Sequence, residues 1–199
     1  MAYCAIEEDL RANCGDEYPT AGLNTIAYMI PIGALDESGI TVSDTTHAFT
    51  AFAVDTLNWS PVELKIDSGA LTAENAKDGG GNLQSYTIEG FISNNTPSKS
   101  FKLENLGKQR VCLVVPLNTR DSATKNRLAK VIGYDSIKGK GAGAHLTVGD
   151  TVEAESGGKN GYTLEITAAQ GESARFADFQ ITFEDGATGT TADFGAYTA

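Results

Sequence analysis

Apolar positions along the chain recur mostly with a period of two. Val62, Leu64 and Ile66 alternate with Glu63, Lys65 and Asp67. That spacing predicts a strand with one face in a core and the other in water. The pattern returns at Tyr162, Leu164 and Ile166, which alternate with Thr163, Glu165 and Thr167. It returns again at Phe179, Ile181 and Phe183, set against Gln180, Thr182 and Glu184. Gln84, Tyr86, Ile88 and Ile92 mark a further strand, and Phe101 with Leu103 a short one. Residues 109–115 are apolar on both faces, as in a central strand, and Pro116 is expected to end them. Residues 23–32 predict a strand closing at Pro31. Two more are expected at 39–43 and 47–54, around a turn at Asp44-Thr45-Thr46.

One stretch departs from this period. Residues 121–132 read as the single helix. Asp121 or Ser122 is its N-cap, Leu128, Val131 and Ile132 form its apolar stripe, and Lys125, Arg127 and Lys130 lie toward its C-terminal end. Gly133 suits the position just past a helix end. Between 67 and 82 the chain is polar and ends in Asp78-Gly79-Gly80-Gly81-Asn82, which predicts a long mobile loop or a hairpin tip. Lys138-Gly139-Lys140-Gly141-Ala142-Gly143 predicts a second flexible loop. Polar residues 1–20 and the Gly-, Thr- and Ala-rich stretch 186–199 read as terminal arms around one domain at 21–185.

Strands, one helix, then more strands predict a mainly β protein: a β-sandwich or barrel with one flanking α-helix, a long loop and flexible terminal arms. Tyr86-Thr87-Ile88-Glu89 is echoed by Tyr162-Thr163-Leu164-Glu165. Half-buried strands converge on such patterns, so the echo defines no repeat. The 22 glycines and 5 prolines among 199 residues favour strands joined by turns over a helical bundle.

Charge narrows the range of functions. The formal net charge is −11, which repels nucleic acid and anionic membranes and argues against tight phosphate binding. Basic residues predominate between 102 and 140, and acidic ones from 150 onward, an asymmetry suited to complementary surfaces on neighbouring subunits. Cys4, Cys14 and Cys112 make no disulfide framework, and Cys112 reads as a core residue. The first residues carry no basic and apolar leader pattern, and no apolar run approaches the ~20 residues of a membrane helix.

Catalytic chemistry finds no foothold. His47 and His145 lack metal-ligand spacing, and HExxH, CxxC and the nucleophile elbow are missing. The Gly-rich run 138–143 lacks the Ser or Thr and the following helix of a phosphate-binding loop. Asp78–Asn82 and Asp185-Gly186 lack the alternating oxygen ligands and closing Glu of a calcium loop. Trp59 stands alone and reads as a core or edge anchor. No catalytic residue, metal or cofactor is expected.

The order of elements resembles the tail-tube family of tailed phages and related contractile injection machines. It is carried by the polar arm before 23–32, the excursion at 67–82, the apolar strand at 111–115 leading toward a helix, and the closing strands near 162–166 and 176–183. The resemblance implies a virion subunit that assembles with itself into rings, usually hexameric, stacked into a tube. It implies other virion proteins as partners, DNA only as cargo in passage, and no membrane; the setting is the virion, and the host cytoplasm during assembly. Asp78, Gly79, Gly80, Gly81 and Asn82 become inter-subunit loop candidates, and Glu63, Asp67 and Glu165 candidates for the lumen face. Two alternatives remain: another virion component, such as a capsid decoration, neck or tail-ring protein, and a monomeric β-sandwich binding module.

Overall fold

The computed structural model describes residues 26–54, 59–63, 70–78, 81–93, 95–120, 127–152, 160–182 and 188–190. The first strands are β1 (Ile26–Pro31), β2 (Thr41–Val42), β3 (Phe49–Ala51) and β4 (Ser60–Glu63). A long hairpin follows, β5 (Ala70–Asp78) and β6 (Gly81–Ser93), and then helix α1 (Pro97–Gly107). Strands β7 (Val111–Arg120), β8 (Arg127–Ile132), β9 (His145–Val152) and β10 (Asn160–Gln170) complete the main body. β11 (Gln180–Thr182) and β12 (Thr188–Thr190) form a small closing pair.

Two four-stranded antiparallel sheets make the framework, ordered β4-β1-β7-β8 and β5-β6-β10-β9, and no sheet closes on itself as a barrel. The architecture is a sandwich with one flanking helix. Strand β7 decides the layering, because residues 111–116 are all buried. Val111, Leu113 and Val115 point into the core between the sheets, among Met29, Tyr86, Ile88, Leu164 and Ile166. Cys112 and Val114 point the other way, into a second core with Tyr28, Ile30, Phe49, Phe52, Trp59 and Phe179. There Phe52 stacks on Phe179 at 5.2 Å and meets Phe49 and Tyr134 edge-on at 5.2 and 5.3 Å. Each of these large side chains contributes roughly 1.5–3 kcal/mol by leaving water. The first sheet is therefore a middle layer, which is why its central strand carries no polar alternation.

Strand placement follows the hydrophobic pattern closely. β1 ends at Pro31, β6 and β10 occupy the predicted stretches, and Thr41–Val42 and Phe49–Ala51 flank the turn at 44–46. Cys112 and Trp59 are core residues. The alternating stretch 62–67 is described only to Glu63, and the predicted arm 1–20 lies outside the described residues.

Four expectations are corrected. The helix predicted at 121–132 is strand β8 over Arg127–Ile132, and 121–126 lie outside the described residues. Val131 and Ile132 fit either period, and pairing with the central strand, Leu113 with Ile132 and Val114 with Val131, favours the extended form. Gly133 does adopt a left-handed backbone, φ +88°, but at a strand end.

The helix lies instead at Pro97–Gly107, where Phe101 and Leu103 had predicted a strand. Thr96 caps it by accepting from the Lys99 N–H, Pro97 takes its first turn, and Leu103 and Leu106 meet the core. Pro116 does not end β7: it pairs with Ala129, and the register slips only between Pro116 and Arg120. Of the two readings of 67–82, long loop or hairpin tip, the hairpin holds, with 70–78 as β5; Thr188–Thr190, within the predicted C-terminal arm, instead pair with β11. The basic loop at 138–143 holds a tight turn at Lys140–Ala142.

Candidate assembly surface

A sheet edge exposes unpaired backbone donors and acceptors, so each of the four main edges has to be covered, blunted or used. At β8 the edge is sealed by residues 175–177. The Val131 N–H donates to the Arg175 carbonyl (3.0 Å) and the Ala177 N–H to the Ala129 carbonyl (2.9 Å). The same segment reaches on to β3, through Phe49 N–H to Phe176 carbonyl (2.9 Å) and Asp178 N–H to Phe49 carbonyl (2.8 Å). At β9, helix α1 packs alongside. β4 is short and carries Pro61, which has no N–H to offer. β5 has none of these devices. It runs nine residues, lacks proline, keeps an unbroken register with β6, and is paired on that side alone among the described residues.

The β5–β6 hairpin also outruns its sheet. β10 pairs with β6 as far as Gln170 opposite Gln84. Ala76–Leu83, Lys77–Asn82 and Asp78–Gly81 continue past that point with no third strand beside them among the described residues. The chain leaves β10 there because a polar cluster takes it over. Buried Asp135 accepts hydrogen bonds from the N–H groups of Gly171 (2.6 Å), Ile137 (2.9 Å) and Lys138. Gln170 donates its side-chain amide to the Tyr134 carbonyl at 2.7 Å, and the Ala174 N–H donates to the Tyr86 hydroxyl at 2.6 Å. Glu172 binds Arg175 through two contacts of 2.6 and 3.0 Å and accepts from the Ser136 N–H. The Arg175 guanidinium holds the Glu172 carboxyl below the usual carboxylate range.

The solvent face of the same sheet is polar. Side chains alternate along β6 and β10, so Tyr86, Ile88, Leu164 and Ile166 enter the core while Thr87, Glu89, Glu165 and Thr167 face out. Register places Thr72, Thr87, Thr167 and His145 in one row across the four strands, and Ala70, Glu89, Glu165 and Thr147 in the next. Glu89 and Glu165 are direct cross-strand neighbours with no cationic side chain paired to them among the described residues.

Of the residues singled out from sequence, Asp78, Gly81 and Asn82 lie at the end of the overhanging hairpin; Gly79 and Gly80, which join its strands, are outside the described residues. Glu165 lies on the polar outer face. Glu63 ends β4 in the other sheet, opposite Ile26, so the fold does not bring it together with Glu165. Asp67 lies outside the described residues. Glu89 was missed, although the echo between 86–89 and 162–165 pointed to it: the two segments are neighbours in one sheet.

Among the described residues no three His, Cys, Asp or Glu side chains converge as a metal-holding group. His47 sits in a left-handed backbone conformation, φ 52°, with its carbonyl accepting from Arg175, and His145 is exposed at the start of β9. Burial raises the Cys112 thiol far out of the reactive range. Searches against protein-family models, curated proteins and solved structures return no match for this chain.

Proposed function

We propose that this protein is a structural subunit that assembles with copies of itself, and that the assembly is a tube of stacked rings of the phage-tail type. One observation carries the reading: a nine-residue β5 edge, free of proline and, among the described residues, paired on one side only, that continues into a hairpin reaching past the end of β10. An isolated soluble monomer gains nothing from such an edge, which invites aggregation, whereas an assembling subunit completes it with a neighbour. The polar face bearing Glu89 and Glu165 then serves as the wall of the conduit. Its carboxylates repel phosphate, so DNA passes without being held. The subunit performs no bond-making step; its partners are like subunits and other virion proteins, and its place is the virion.

Negative-stain microscopy of the concentrated purified protein tests this. Stacked rings with a central hole are expected. A species that stays monomeric at every concentration, alone and with virion components, sinks the proposal.

A further inference from the structure

We draw no further inference here: the strongest candidate, the outer edge of strand β5 with the end of its hairpin beyond β10, belongs to the assembly surface already described, and nothing in the structure shows what covers it.

Discussion

Glu89 on β6 and Glu165 on β10 stand directly opposite each other on the solvent face of their sheet. Like charges at such a position weaken the sheet by a few tenths of a kcal/mol to about 1 kcal/mol. Glu89→Lys turns repulsion into attraction and is expected to raise stability by about 0.5 kcal/mol in urea titrations at low salt. The gain shrinks at high salt as exposed charges are screened. Adding Glu165→Lys to the same chain restores like charges and removes the gain. A Glu89→Lys protein less stable than wild type at low salt contradicts the assignment of this pair as a local cost.

Asp135 is the hub of the chain's exit from β10. Its carboxylate satisfies the N–H groups of Ile137, Lys138 and Gly171 from a fully buried position. Asp135→Ala leaves these donors without their partner, and a loss of about 3 kcal/mol is expected. Asp135→Asn keeps one acceptor oxygen and loses less. Urea midpoints for the two variants, compared with wild type, give the order directly.

How much of this was legible beforehand depends on the element. Strands with one wet face, such as β6 and β10, announced themselves by alternation, and the all-apolar run of β7 announced a buried strand. β8 did not, because Leu128, Val131 and Ile132 fit a helical stripe as well as a strand. Only the need of β7 for a second neighbour decides between them. The helix at 97–107 was hidden by the Phe101–Leu103 alternation, although Thr96-Pro97 is a good helix start. Of the candidate surface, the hairpin end was readable from its glycines. The edge that makes it interesting was not, since being unpaired is a property of the whole sheet and not of residues 70–78.

Gly133 shows how one residue can satisfy a local rule for a different reason. Its φ of +88° disfavours other residues, and a Cβ there would lie 2.5 Å from the Val111 carbonyl oxygen and 3.0 Å from the Ala144 N. Those two residues are joined by paired hydrogen bonds of 2.8 and 2.9 Å. Gly133→Ala is expected to cost about 1–3 kcal/mol through backbone strain and a displaced bridge. Gly33→Ala, with open space around the added methyl, serves as the near-neutral control. Thermal unfolding of both variants separates the two cases.

The Glu172–Arg175 pair is expected to make the β8 seal sensitive to acid. Hydrogen bonds from Arg175 lower the Glu172 carboxyl below its ordinary value, and only about a fifth of either side chain is exposed. A folded-state pKa lying below the unfolded one, roughly 4.3, gives stabilisation that is complete above that value. It is lost as pH falls through the folded pKa. Glu172→Gln should therefore melt below wild type at pH 7, by an amount reflecting about 1.5–3 kcal/mol of charged hydrogen bonding. The difference should begin to narrow below the unfolded value and close as the pH falls through the lowered folded pKa. A gap that stays constant from pH 7 down to the acid limit of the folded state argues against the ion pair as its source.

The double-sided burial of β7 ties the layers together. Val111, Leu113 and Val115 belong to one core while Cys112 and Val114 belong to the other, so five consecutive residues are shared between two otherwise separate apolar clusters. β1 and β8 do the same, with Met29 and Ile132 in the first core and Tyr28, Ile30 and Val131 in the second, so damage on either side is transmitted through the whole middle sheet. The layers consequently lose their order as one cooperative unit, with no sheet weak enough to peel away first.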